Sequence, residues 1–430
     1  MKANKLTLRI MIGMILGIVA GYGVNKMGLS PDGMKEASGY FTLISDIFLR
    51  LIKMIIAPLV FSTVVSGIAN MGDSKSVGRV GVKAMLWFVT ASIISLFLGC
   101  LLANIIHPGA GLGMPLPPVD AATNLATKSL SFNTFLLNVF PKSIFESFAN
   151  NQILQILIFS IFFGLAIASL PGKAAETITK AADEAVHVMI KVTDFVMQFA
   201  PIGVFAAMGA AIATQGIGVL ATYGKLIGSF YVGLALLSMI LIFAGWLFLG
   251  RRVFTLMQMM RSVILLAFST ASSEAAYPKT IEQLNKFGAN NRVTSFVLPL
   301  GYSFNLDGSM IYQSFATLFI AQAYGIDMPI SQQLTMLAVL MVSSKGMAGV
   351  ARASLVVVAA ILPMFNLPES GLLLIMAIDQ FLDMGRTAMN VVGNSIATAV
   401  VAKWEGLLGE TIDEEVEEES TLADGIAQTA

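Results

Sequence analysis

The chain has 430 residues, 56% of them hydrophobic and 12% charged, with a formal net charge of zero and a mean hydropathy of +0.79. A soluble domain carries about 25% charged residues, so this composition excludes an ordinary soluble fold and points to a polytopic membrane protein. Zero net charge gives no footing for a nucleic-acid role.

Uncharged runs long enough to span a bilayer, about 20 residues, occur at 54–72, 84–119, 151–172, 195–224 and 226–250. The first half predicts spanning helices at 5–27, 40–70, 80–107, 130–170 (broken near Pro141 and at Asn150 and Asn151), 184–213 and 218–250. Pro201 and Gly203 predict a kink in the fifth of these. The segment 2–24 resembles a signal peptide only superficially: it lacks a small-residue cleavage site and more spans follow, so it reads as a retained first helix. Lys2, Lys5 and Arg9 put the N-terminus in the cytoplasm, and Lys75, Arg79 and Lys83 return to that side after two spans. The Pro- and Gly-rich connection 107–128 suits the outside, and the acidic block 410–419 reads as a solvated tail.

The second half is interrupted. An apolar stretch 252–268 leads to a small polar tip, 269–274, and Pro278 then opens another short helix; neither piece is expected to cross alone. The arrangement recurs as an apolar run to Val342, a polar tip at 343–349 and a second run at 353–362. Each tip carries a Ser-Ser pair followed by a charge, Ser272-Ser273-Glu274 and Ser343-Ser344-Lys345. Each predicted hairpin precedes a helix broken by polar residues. Irregular backbone at membrane depth is tolerated only where it is buried in protein or lines a cavity. Two such units point to a transport site at their interface near the midplane.

Within the last apolar helix, Asp383, Arg386, Thr387, Asn390 and Asn394 follow a spacing that puts all five on one face. Ionisable groups at that depth usually mark a substrate or ion path. Arg presents a planar fork that grips a carboxylate, and the Asp383 carboxylate one turn away suits an amine. A structural ion pair would account for Asp383 and Arg386 alone, but it needs no Thr387 and Asn390 beside it. Asp379, one turn earlier, has the position to orient Arg386 or to serve helix packing. Asn305 and Asp307 lie in an uncharged stretch beside Gly308, where unwound carbonyls and side-chain oxygens suit a hard cation or a satisfied polar kink. Gln313 suits a helix–helix hydrogen bond. Glu274 is predicted close to Arg386; burial and a nearby cation push a carboxyl in opposite directions, and a group between them can load and release a proton near neutral pH.

A hydrolase built on the serines finds no support. The two histidines, His107 and His187, lie far in sequence from either serine tip, and no Gly-x-Ser-x-Gly elbow is present. There is no Cys/His metal cluster, and the single cysteine, Cys100, fits packing as a small hydrophobe.

Four motifs carry a resemblance: Ser-Ser-Glu-Ala-Ala-Tyr-Pro at 272–278, Asn-Leu-Asp-Gly at 305–308, Ser-Ser-Lys-Gly-Met-Ala-Gly-Val at 343–350, and Asp-Met-Gly-Arg-Thr-Ala-Met-Asn-Val-Val-Gly-Asn at 383–394. Through them nearly the whole chain resembles the dicarboxylate/amino acid:cation symporter family, which includes the glutamate transporters. The resemblance implies an all-α fold of eight transmembrane helices plus two re-entrant hairpins, arranged as inverted repeats in a homotrimer in the bacterial inner membrane. It implies scaffold segments at 1–72 and 129–215, and a transport domain at 78–108 and 216–408 that moves like an elevator. The second hairpin, 327–363, is the implied gate, and 409–430 the acidic cytoplasmic tail. Arg386 is then expected to hold the side-chain carboxylate of glutamate or aspartate, and Asp383 the amino group. Thr387 and Asn390 complete the pocket, and the tips at Ser272, Ser273, Gly349 and Val350 hold the α-carboxylate. No cofactor is implied beyond the coupling ion.

The chain departs from the sodium-coupled pattern of that family. Asn394 replaces a sodium-ligating Asp, Phe88 and Ala91 stand where oxygen ligands are usual while Ser92 remains, and Glu274 replaces a third Ser. Losing those ligands weakens a hard-cation site, while Glu274 supplies a proton acceptor, so the chain resembles the proton-coupled bacterial branch. Asn305, Asp307, Asn394 and Ser92 keep enough oxygen atoms for a residual sodium site to remain compatible. Ala351 stands where a Pro is common after the gate's Gly-Val, and bears on gate stiffness. C4-dicarboxylate symport is the alternative within transport, although members of that branch tend to lack the Asp three residues before the Arg.

Overall fold

The computed structural model describes residues 2–71, 74–110, 116–118, 137, 139–170, 173–216, 223–344, 353–376 and 378–411. Among them there is no β-strand, only one isolated bridge between Ala289 and Leu408. The protein is an all-α polytopic membrane protein. Its first helices are α1 (Lys2–Lys26), α2 (Pro31–Met71) and α3 (Ser74–Ile106). A second set runs α4 (Ile144–Ala149), α5 (Ile153–Ser169), α6 (Lys173–Met197), α7 (Ala200–Gln215) and α8 (Gly224–Leu249). The interrupted half contains α9 (Arg252–Thr270), α10 (Ser273–Lys286), α11 (Asn291–Phe304), α12 (Asp307–Ala323), α13 (Ile330–Ser343), α14 (Ala353–Ile361), α15 (Leu372–Met376) and α16 (Asp379–Trp404).

Five described helices are long and apolar enough to cross a membrane, or six if α6 and α7 form one span bent by 52°. That bend falls at the predicted Pro201 kink, where proline sits at the start of α7 and has no N–H to give the preceding turn. Three helices begin a turn or more earlier than expected, α3 among them at Ser74. α2 starts at Pro31, and proline at the first helical position is preorganised for the helix. α6 starts at Lys173, in a charged turn that an apolar window does not register.

The first hairpin differs from expectation in one respect. α9 has 19 residues and is apolar enough to cross on length alone, so shortness does not make it re-entrant. The tip does: Ala271 takes a left-handed conformation (φ 47°), and Ser272 caps the next helix by accepting a hydrogen bond from the Ala275 N–H at 3.2 Å. The chain then packs α10 back along α9. In the second hairpin α13 and α14 are short, as predicted, with 14 and 9 described residues.

Two packed groups emerge. α1, α2, α5, α6 and α7 form one, in which α7 packs on α1 and α2, and α2 also packs on α5 and α6. α3 and α8–α16 form the other, with α16 touching α3 and α8–α12. α16 is buried on nearly every face from Phe381 to Ala402 although it carries polar residues throughout. At its C-terminal end Glu405 accepts ion pairs from Arg79 Nε (2.9 Å) and Lys83 Nζ (2.7 Å), and Lys83 also donates to the Trp404 carbonyl (2.8 Å). Trp404 stacks edge-on against Trp87 and Phe248, with ring centroids 5.9 and 5.1 Å away. The groups meet where α2 contacts α10 and α11 and where α9 contacts α1 and α7.

Candidate functional site

The α11–α12 span is broken at Asn305 and Leu306, whose backbones leave the helical region (ψ 65° and 63°). Helix interruption strands N–H groups at the start of the next segment. Asn390 on α16 satisfies two of them: its Oδ1 accepts from the N–H of Gly308 (2.8 Å) and of Ser309 (3.3 Å). The break can lie this close to α16 because of two glycines. A Cβ on Gly308 would stand 2.1 Å from the Arg386 carbonyl oxygen, and one on Gly393 would stand 1.9 Å from Asp307 Oδ2.

Beside the break, Arg386 is held from three directions. Its Nε and Nη2 reach Asp383 Oδ1 at 2.9 and 2.7 Å, its Nη1 lies 3.6 Å from Asp379 Oδ1, and its guanidinium carbon sits 4.3 Å from the centroid of the Tyr312 ring. Tyr312 in turn donates to Asp379 Oδ1 at 3.2 Å. Thr387 Oγ1 adds a third contact on Asp383 Oδ1 at 3.2 Å, so Oδ2 of that carboxylate takes none of these bonds. The side chains of Arg386 and Asp379 are 3% and 2% exposed, whereas Asp383 is 25% exposed. Despite its burial, Arg386 Nη1 has no hydrogen-bond partner among the described residues. The cluster is thus one buried cation between two carboxylates, with one guanidinium edge and one carboxylate oxygen left over.

A second polar layer lies one turn deeper. Asn305 Nδ2 donates to Asn394 Oδ1 at 3.3 Å, and Oδ1 of Asn305 is buried with no partner among the described residues. Ser95 Oγ donates to Asp307 Oδ1 at 3.5 Å, and Ser92 Oγ to the Phe304 carbonyl at 3.5 Å. Phe88 packs beside Gly301 in this layer. No group of three or more His, Cys, Asp or Glu side chains that suits a metal ion occurs among the described residues.

The profile of the sodium:dicarboxylate symporter family matches residues 6–404. The chain belongs to that family. It is 41% identical over 419 residues to a proton/sodium-glutamate symport protein of Geobacillus stearothermophilus, covering 95% of this chain and 97% of that protein. It is 40% identical over 404 residues to a proton/glutamate-aspartate symporter of Escherichia coli K12, 92% of each chain. A C4-dicarboxylate transport protein of Pseudomonas savastanoi pv. phaseolicola is 40% identical over 410 residues, 94% of this chain and 87% of that one.

In this symporter the five polar residues of α16 do share a face, but they divide between two layers. Asp383, Arg386 and Thr387 form the outer cluster, Asn390 caps the break, and Asn394 belongs with Asn305. Ser272 caps α10, and the Ser273 carbonyl accepts from the Tyr302 hydroxyl at 2.9 Å. Gly349 and Val350 lie outside the described residues, as do Lys345 and Ala351. Glu274 departs from expectation: its ion pair is with Lys53 of α2 at 3.9 Å, while Arg386 is taken up by Asp383 and Asp379. The sequence offered a clue to Lys53, a cation midway along a membrane helix. It offered none to Tyr312 or Ser95, which are ordinary residues of apolar spans.

Proposed function

We propose that the chain is a proton-coupled symporter of the bacterial inner membrane, with both termini cytoplasmic, that takes up glutamate or aspartate. The observation that carries this reading is the Arg386 cluster. Asp383 and Arg386 neutralise one another. An acidic amino acid brings one group for each: its side-chain carboxylate takes the guanidinium, including the unbonded Nη1, and its ammonium takes Asp383. A C4-dicarboxylate brings no cation, so it would separate Arg386 from Asp383 and leave the carboxylate without a partner. The glutamate reading is supported further by relatives named as glutamate and glutamate-aspartate symporters; the relative named for C4-dicarboxylates keeps the alternative in the test.

Proton coupling rests on Glu274 at the hairpin tip and on the loss of carboxylate at Asn394. The Asn305, Asp307, Asn394 and Ser92 layer supplies neutral oxygens and one carboxylate, a weaker cage for sodium than one with two. The packing supports an elevator movement in which α3 and α8–α16 travel as the transport domain past a scaffold built from α1, α2 and α5–α7, within a homotrimer. Glu274 takes up a proton on the outside, and that proton is released inside together with the substrate.

Purified protein in liposomes should accumulate labelled aspartate or glutamate when a proton gradient alone is imposed. A sodium gradient alone should drive little. Uptake driven only by sodium would refute proton coupling, and succinate uptake faster than that of either amino acid would transfer the assignment to dicarboxylates.

A further inference from the structure

The ion pair between Lys53 and Glu274 joins the two packed groups. Lys53 belongs to α2, on the proposed scaffold, and Glu274 opens α10 at the tip of the proposed moving domain. Its nitrogen–oxygen separation is 3.9 Å, with 54% of the Lys53 side chain and 29% of the Glu274 side chain exposed. We propose that Lys53 is a latch for the unprotonated carrier: it holds the ionised Glu274 carboxylate against the scaffold, and protonation of that carboxylate releases the moving domain. This inference rests on Glu274 being the proton carrier.

The geometry leaves few other groups to play that part. α10 packs against α2, α6, α9, α11 and α16. From α11, Tyr302 lies within electrostatic reach of Glu274, and its hydroxyl is already donated to the Ser273 carbonyl. On α16, Arg386 is engaged by Asp383 and Asp379. α6 and α9 carry Lys191, Asp194 and Arg261 on the elements packed against α10. Lys53 is the cation that an ion pair places against this carboxylate, and it does so from the other packed group. The ammonium holds the carboxylate electrostatically only while it is ionised. A neutral carboxylic acid has no such attraction to an ammonium, and it crosses an apolar interface at far lower cost. The pair is half solvated, so it is a weak latch that tunes the proton requirement rather than a lock.

The test uses Lys53→Cys in a Cys100→Ser background, with Cys100→Ser alone as reference. Labelled aspartate exchange in proteoliposomes is followed against pH. Loss of the cation should raise exchange at alkaline pH, where the ionised carboxylate is otherwise held, by about 2- to 3-fold, the scale of a part-exposed ion pair. Aminoethyl methanethiosulfonate, which restores an ammonium at that position, should lower it again. The sulfonatoethyl reagent should raise it further. In a Glu274→Gln background exchange should become independent of pH, and neither reagent should matter. Equal effects of the two reagents, or changes that persist with Glu274→Gln, would overturn the latch. A wild-type pH profile in Glu274→Gln itself would instead overturn the proton-carrier reading, which separates the two failures.

Discussion

The two packed groups bury their polar side chains differently. In α1, α2 and α5–α7, most buried hydroxyls return to their own helix: Thr63 donates to the Leu59 carbonyl (2.7 Å), Ser160 to Ile156 (2.7 Å) and Thr193 to Met189 (2.9 Å). Ser66, which reaches Asp183 on α6, is an exception. Around α16 some buried hydroxyls do the same, Thr280, Ser395 and Thr398 among them, but amides, carboxylates and a guanidinium are buried as well, and several of these groups find partners on other elements: Asn390 with the α12 start, Asn305 with Asn394, Tyr312 with Asp379. A hydroxyl bonded to its own helix leaves that helix free to slide against its neighbours. A buried network shared among helices does not, because separating them would strand polar groups at membrane depth. The contrast gives a physical reason for the helices around α16 to stay together.

The largest test strikes the centre of the shared network. Arg386→Ala removes the cation between Asp379 and Asp383, leaving two neighbouring carboxylates without their shared counter-charge. Breaking a buried pair this way costs about 3–5 kcal/mol. Uptake of acidic amino acids should fall by at least about 100-fold, and thermal unfolding in detergent should move to lower temperature. Uptake near the wild-type level would remove Arg386 from the site and break the comparison at its strongest point.

Next comes the contact between the broken span and α16. Gly393→Ala places a methyl 1.9 Å from Asp307 Oδ2, so either Asp307 or the break must withdraw. Forcing an atom into a packed region costs about 1–3 kcal/mol. The expected outcome is reduced stability together with reduced uptake, read from unfolding curves and initial rates on the same preparation. Lowered stability with normal uptake would mean that the break and α16 need not stay in register.

How much of this was legible in the sequence follows the same division. The apolar spans were visible, since hydropathy reports a helix that meets lipid. Their polar extensions were not: Pro31–Gly39 and the turns after Lys173 are helical beyond the apolar window. The motifs named residues that the fold brings together, because Asp, Arg and Asn in an apolar helix are costly enough to be conspicuous. The partners were hidden. Periodicity places Asn390 and Arg386 on one face, but it does not say that Asn390 caps α12 while Arg386 turns to Asp379 and Tyr312. Nor does it bring Lys53 to Glu274, more than two hundred residues away in the chain.

A smaller effect is expected where α3 and α16 end together. Burial alone would raise the Glu405 carboxyl, but hydrogen bonds and charge from Lys83 and Arg79 outweigh it and hold the group below the ordinary carboxylate value. A carboxyl lowered in the folded state stabilises the fold above its unfolded value, and that contribution disappears as pH falls through the folded one. Glu405→Gln should therefore lower stability by about 1 kcal/mol at pH 7, with the gap to wild type closing as the pH falls below the ordinary carboxylate range. An equal gap at every pH would assign Glu405 to packing against Trp404 and its neighbours.

The smallest effects decide whether bonding pattern or location sets the cost. Thr63 lies in α2 and Thr398 in α16, yet both hydroxyls donate to a carbonyl of their own helix, at 2.7 and 2.8 Å. Valine at either place keeps the shape and removes a donor whose acceptor retains its backbone hydrogen bond. If bonding pattern governs, Thr63→Val and Thr398→Val should each change stability by less than about 1 kcal/mol, with uptake unaltered in both. A large loss at Thr398 alone would mean that the polar interior around α16 penalises any lost donor. The block would then be held by its overall polarity and not by the particular bonds that join its helices.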